Sequence, residues 1–265
     1  MNTKLVLKLN GYILLFDAVA MLLPVMVALY YQESAGLAFA PAIALALALG
    51  VPLFLLKPKS SELYAREALV TVSVAWIVMS LIGGLPFYLS REIPSLIDCF
   101  FETASGFTTT GATILTDVEA LSRCMLFWRS FTHWIGGMGM LVFVIALMPK
   151  TTDKTIHILR AEMPGPTVDK IVPRSKNTAK ILYLIYVGMT VALILLLWVG
   201  GMPLFESIVH ALGTAGTGGF SIYSTSIELY SPFIQWVIAL FMLLFGINFN
   251  IYFLILIGKF KNVLK

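Results

Sequence analysis

Residues 98–113 read DCFFETASGFTTTGAT, and residues 206–221 read ESIVHALGTAGTGGFS. At a constant offset of 108, Asp98 pairs with Glu206, Thr109 with Thr217, Gly111 with Gly219 and Thr113 with Ser221. Each stretch is a half-apolar run followed by small residues, and neither is polar enough for a plain external loop. Upstream, Gly83-Gly84 ends one apolar span as Gly200-Gly201 ends another, and a proline follows each pair, Pro86 and Pro203. The chain therefore reads as two copies of one span–re-entrant–span unit, and a repeat of this kind decides the fold before any single element does.

The rest of the sequence sets those units in lipid. The 265 residues are 59% hydrophobic and 12% charged, with a mean hydropathy of +0.91. A soluble domain carries about 25% charged and about 45–50% apolar residues. Six apolar stretches, at about 11–31, 37–56, 68–90, 124–148, 178–199 and 232–258, meet the roughly 20 residues that a crossing needs. The first exceeds the roughly 7–15 apolar residues of a signal peptide, and no A-x-A site follows it, so it reads as a retained helix. Fifteen of the 18 Lys and Arg residues fall on one side of these spans; only Arg91, Arg123 and Arg129 do not. By the positive-inside rule both ends of the chain are cytoplasmic. Two cysteines, Cys99 and Cys124, exclude a disulfide scaffold. The small net charge of +4, sorted by side, argues against a nucleic-acid partner.

Non-helical backbone at membrane depth is tolerated only where protein surrounds it or water fills a cavity. About 12 helical residues rise roughly 18 Å, about halfway through the hydrocarbon core, and the Thr/Gly segment then climbs back out. The helix C-terminus, partially negative, points at the membrane centre and favours a cation. Glycine opens conformations that let carbonyls line a path as ion ligands. Thr109, Thr110, Thr113, Thr217 and Ser221 add hydroxyl oxygens without charge, which suits a monovalent cation better than a divalent one. Ordinary external turns are the alternative for either segment alone; two aligned copies favour the ion path.

Several other residues carry two readings. Glu102, whose counterpart is His210, either tunes cation entry or hydrogen-bonds the neighbouring backbone. Asp98 and Glu206 sit in first helical turns, where negative charge suits the dipole; an outer ring attracting cations is the other reading. Arg129 and His133 lie one turn apart inside a span, a functional hypothesis by default, although Arg129 has the structural option of pairing with a pore-helix acid. Asp17 has no evident partner. Gly136, Gly137, Gly139 and Gly246 suit close helix packing, and Asn248 and Asn250 suit interhelical hydrogen bonds. His157 has no second His or Cys at metal-ligand spacing, and the scattered methionines read as packing.

Three longer motifs carry a resemblance: FFETASGFTTTGATIL (100–115), WRSFTHWIGGMGMLV (128–142) and RAEMPGPTVDKIVPR (160–174). The chain resembles the membrane subunits of Trk-type potassium uptake systems (TrkH/TrkG, in the wider Trk/Ktr/HKT superfamily) over essentially its whole length. The resemblance implies an all-α polytopic membrane protein with a two-helix leader and helix–pore loop–helix repeats, here two of the family's four, or half of a four-repeat pore. The units are then a leader hairpin at 1–66, a first repeat at 67–149, a cytoplasmic linker at 150–176 and a second repeat at 177–265. The implied filter strands are Thr108, Thr109, Thr110 and Gly111 in the first repeat and Gly216, Thr217, Gly218 and Gly219 in the second. Glycine rather than serine at Gly111 implies potassium. The family's gating loop and pore-facing positive residue belong to repeats absent from residues 1–265.

The expected function is potassium uptake across the cytoplasmic (inner) membrane, with potassium as substrate, no cofactor and no enzymatic chemistry. The alternative is a truncated, non-conducting fragment or an assembly partner. By resemblance the partners are a second copy in a homodimer and a cytoplasmic nucleotide-binding regulatory subunit (TrkA-like). The basic loop 150–180 is a candidate docking surface, or else a contact for anionic membrane lipid. Ion-coupled symport and channel-like flux are not separable from sequence.

Overall fold

The computed structural model describes residues 2–58, 65–137, 139 and 176–256, and among these every regular element is a helix, with no strand. The leader is α1 (Thr3–Ala20) and α2 (Leu22–Tyr31), a three-residue-per-turn helix at Ser34–Ala38, and α3 (Phe39–Phe54). The first unit follows as α4 (Ala65–Leu89), α5 (Leu96–Phe107) and α6 (Arg123–Gly137). The second is α7 (Lys176–Val199), α8 (Leu204–Ala215), α9 (Pro232–Gly246) and α10 (Phe249–Leu256).

Local chemistry sets several of these ends. Asn2 caps α1 by accepting from the Leu5 N–H at 3.3 Å. Ser95, extended, caps α5 by accepting from the Asp98 N–H, and Asp98 adds a negative charge to the first turn. Ser231 precedes α9, whose first residue is Pro232, a position where the missing N–H costs nothing. α1 lies closely along α3, because Gly11 sits against the Leu53–Phe54 backbone and Gly50 against Leu14 and Leu15; small residues let helix backbones approach in this way.

Four described helical stretches are long and apolar enough to cross a membrane: Thr3–Tyr31, Ser34–Phe54, Arg66–Leu89 and Lys180–Val199. The first begins earlier than about residue 11 and changes segment at Met21, close to Pro24. The fourth expected span is described as far as Gly137, and its remainder, Gly139 apart, lies outside the described residues. The sixth is not continuous: α9 stops at Gly246, Ile247 is extended, and α10 restarts at Phe249. Gly83-Gly84 does not end its span, since α4 runs through it and through Pro86 to Leu89. Gly84 instead lets α5 pack close; a Cβ there would lie 3.0 Å from the Cys99 carbonyl. Gly200-Gly201 does end its helix, with Gly201 at φ +98°.

The start of α6 is held by two carboxylates from distant loops. Glu33 accepts from the Arg123 and Cys124 N–H groups, each at 2.9 Å. Glu92 accepts from the Ser122 N–H at 2.9 Å and hydroxyl at 2.7 Å. Burial pushes the Glu92 carboxyl up from its ordinary value, while the two Ser122 donors act against that shift. Helix N-termini leave N–H groups unpaired unless such acceptors reach them. Glu33→Ala is expected to lower stability by about 1–2 kcal/mol, the scale of a lost N-cap, read as an earlier unfolding transition of the detergent-purified protein; an unchanged transition would refute the cap.

Candidate functional site

α5 and α8 are each 12 residues long, and the backbone that leaves them takes the same course. Thr109 has φ +55° and Thr217 φ +59°; two residues on, Gly111 has φ +78° and Gly219 φ +76°. The Thr109 N–H donates to the Gly106 carbonyl at 2.9 Å, and the Thr217 N–H to the Thr214 carbonyl at 2.8 Å. Left-handed φ is costly for a threonine, so its recurrence at equivalent positions marks a conformation held by its surroundings. Gly111 and Gly219 meet the same demand without a Cβ.

The two segments lie against each other. A Cβ on Gly111 would run into the Gly218 carbonyl. Thr108 and Thr110 are exposed, as are Thr217 and Gly219, while the C-terminal half of α8 and most of the last turn of α5 are buried behind them. Neither 108–113 nor 216–221 carries a charged residue. The Thr108 hydroxyl lies 2.6 Å from the Ala104 carbonyl and 2.8 Å from the Thr110 hydroxyl. The exposed part of these two segments thus carries no formal charge.

Charge stands one layer behind. Glu102 accepts from the Thr113 hydroxyl at 2.9 and 3.0 Å and from the Ile114 N–H at 3.0 Å. It also accepts from Arg129 Nε in a fully enclosed ion pair. Arg129 Nη1 donates to the Ser221 carbonyl at 2.9 Å. In the second unit, His210 Nε2 lies 3.1 Å from the Ser221 hydroxyl, and its Nδ1 lies 2.9 Å from the Glu206 carbonyl. Mid-helix residues 102 and 210 therefore engage residues 113 and 221, hydroxyl to side chain in both units. The structural readings of Glu102 and Arg129 are the ones observed. Glu206 accepts from the Tyr223 hydroxyl at 3.2 Å and the Tyr230 hydroxyl at 2.5 Å; burial, then this carboxylate, pushes both phenols up from their ordinary value.

α6 closes the site from behind. Gly136 abuts the Phe107 carbonyl and Gly137 the Tyr186 hydroxyl and Ala215 carbonyl, so these glycines admit the ends of the two short helices. Tyr186 donates to the Trp134 carbonyl at 2.9 Å, and Trp134 donates to the Thr190 hydroxyl at 3.1 Å, joining α6 to α7. Gly246 makes no close packing contact among the described residues, none of which lies within 4 Å of where its Cβ would stand. Asp17 is fully buried in α1, apart from this cluster, and neither carboxylate oxygen has a hydrogen-bond partner among the described residues. His157 and nearly all of loop 150–180 lie outside the described residues. Sequence reading missed Phe220, Tyr223 and Tyr230. Phe220 had a signal: its partner at offset 108 is Ala112, the largest change of size inside the paired loops.

Fold and site together define a multi-pass membrane protein built from long helices and paired uncharged loops. The TrkH family profile, described as cation transport protein, matches residues 36–265. The chain belongs to the TrkH family. It is 40% identical over 268 aligned residues to the Trk system potassium uptake protein TrkH of Salmonella typhimurium, covering 99% of this chain and 55% of that protein. It is 33% identical to the Trk system potassium uptake protein TrkG of Escherichia coli, over 98% of this chain and 55% of the relative. The crystal structure of the potassium transporter TrkH from Vibrio parahaemolyticus matches with a TM-score of 0.80 at 32% identity, covering 96% of this chain and 52% of that one. The chain spans about half the length of the curated relatives it matches.

Breaking a buried ion pair by removing one partner costs about 3–5 kcal/mol, because the other charge is left uncompensated. Glu102→Ala should therefore unfold the protein at markedly lower temperature, and Glu102→Ala with Arg129→Leu should recover much of the loss. A loss in the double variant equal to the sum of the losses in Glu102→Ala and Arg129→Leu measured singly would show that the pair is not coupled.

Proposed function

We propose that this chain supplies two of the filter strands of a potassium uptake pathway, with potassium as substrate and no cofactor. The observation that carries the reading is the matched left-handed geometry of Thr109 with Thr217 and Gly111 with Gly219, in strands that touch at Gly111 and Gly218. Left-handed backbone can present successive carbonyls on one side, and rings of carbonyl oxygen can replace an ion's hydration shell. The ligands are Thr108, Thr109, Thr110 and Gly111 in one strand and Gly216, Thr217, Gly218 and Gly219 in the other. The absence of formal charge in both strands favours a monovalent ion. The curated relatives are potassium uptake proteins, which supports potassium and a transport rather than an enzymatic role.

In this reading residues 67–149 and 177–265 are two pore-loop repeats, following the leader at 1–66 and joined by a cytoplasmic linker at 150–176. Two strands make half of a four-strand ring, and two further repeats complete it, in the same polypeptide or in a second copy. The sidedness of Lys and Arg supports cytoplasmic termini in an inner membrane. A second copy in a homodimer and a cytoplasmic nucleotide-binding subunit are the proposed partners, the latter docking at the basic linker.

The test is rubidium-86 uptake in cells lacking their own potassium systems, by residues 1–265 alone and by a four-repeat chain carrying them as its first half. Uptake by the four-repeat chain is expected. Gly111→Ser, which forces a Cβ into the Gly218 carbonyl at positive φ, should abolish it or shift preference towards sodium by about tenfold or more. Uptake by neither chain, or uptake indifferent to Gly111→Ser, would overturn the proposal.

A further inference from the structure

Phe220, the residue directly after Gly219, has its ring held between two side chains of α6. The His133 ring stacks on it with centroids 3.8 Å apart and planes 13° from parallel. The Arg129 guanidinium carbon lies 3.6 Å from the same centroid. Two groups cannot both stand that close to one ring centre from the same side, so Phe220 is clamped between them. Arg129 and His133 are four residues apart, a rise of about 6 Å, and side chains leaning apart widen that to the gap a ring needs. All three are buried. The clamp crosses the repeat: its jaws belong to the first unit and the ring to the second.

The same imidazole lies under the second strand. A Cβ on Gly218 would strike His133 Cε1, with Nδ1 at 2.7 Å and Nε2 at 2.9 Å. A Cβ on Gly216 would lie 2.6 Å from the His133 carbonyl. Gly218 in turn carries the carbonyl that abuts Gly111. An unbroken line of contact therefore runs from α6 through His133 and Gly218 to Gly111 of the other strand. Neither ring nitrogen of His133 makes a hydrogen bond of good geometry among the described residues, although the Ser105 and Gly213 backbone lies beside it; its closest ring contact is the flat face laid on Phe220.

We infer that this clamp sets the separation of the two strands and that His133 is a positioning residue for ion selectivity. The inference rests on the filter reading above. Close-packed interiors transmit a lost contact as a displacement of what rested on it, and a site a fraction of an ångström too loose loses discrimination before it loses its fold. The second strand needs this support from outside its own unit because Gly216, Gly218 and Gly219 have no side chains with which to anchor themselves.

The experiment uses the four-repeat chain, with membrane levels matched, and reads rubidium-86 against sodium-22 uptake. His133→Ala and Phe220→Leu should each lower potassium-over-sodium preference by about fivefold, within the range that an aromatic pair contributes. His133→Phe keeps a flat ring and should stay within about twofold of the parent. Should His133→Ala fail to reach the membrane, Phe220→Leu and His133→Phe decide the matter. Variants that all discriminate like the parent overturn the clamp, as does loss in His133→Phe with Phe220→Leu unaffected, which would assign the role to the ring nitrogens. A parent that moves no potassium overturns the filter reading itself, an outcome distinct from both.

Discussion

The enclosed guanidinium of Arg129 constrains the middle of this structure more than any other group. At 3% exposure, in a protein surrounded largely by hydrocarbon, a charge must be matched where it stands. Glu102 matches it from α5, the Ser221 carbonyl takes a second N–H, and Phe220 covers one face of the plane. These three contacts come from two units and fix α6 against α5 and against the backbone leaving α8. Rotating α5 by even one residue would withdraw Glu102 from Arg129, Thr113 and Ile114 together. An interaction that costs so much to break serves register better than stability, since an apolar set of similar volume can match a buried pair in energy.

Backbone and side chain follow different rules across the two units. The helices are equal in length and their exits share φ values to within a few degrees, yet Glu102 stands opposite His210 and Ala112 opposite Phe220. The common backbone reflects the same left-handed exit from two helices of equal length; the unequal side chains reflect unequal neighbours. α6 bears Arg129 and His133, and the first unit answers with a carboxylate from α5 while the second answers with the Phe220 ring. α9, in the equivalent place of the second unit, has no charged residue at all in PFIQWVIALFMLLFG.

Much of this was legible because it is periodic or local. Offset pairing matched Thr109 with Thr217 and Gly111 with Gly219, which share left-handed backbone, since such backbone recruits glycine and small polar residues that stand out against a lipid-facing composition. The dipole placed Asp98 and Glu206 in first turns. Contacts between segments far apart in sequence were not legible: nothing in a single sequence says that Glu33 caps a helix 90 residues later. The break of the last span after Gly246 was hidden because hydropathy ignores backbone direction, and the two asparagines of INFNIYF sit among enough apolar residues to read as part of one span. Gly83-Gly84 misled for a related reason. Glycine signals either a terminus or a close approach, and only the carbonyl of Cys99 lying opposite tells which.

The segregation of charge has a physical logic that ties these levels together. An ion crossing a narrow path must be held well enough to enter and weakly enough to leave. A formal charge within the proposed strands would deepen one position and trap the ion there. A bare Arg129 one layer behind would raise a barrier against any cation, because Coulomb interactions weaken little in a dry interior. Paired with Glu102, the two charges leave only a dipole, whose field falls off faster with distance than that of either alone. The chain thereby gains a strong, directional fastening for both strands while the open face between Thr108 and Gly111, and between Thr217 and Gly219, is left to backbone oxygen.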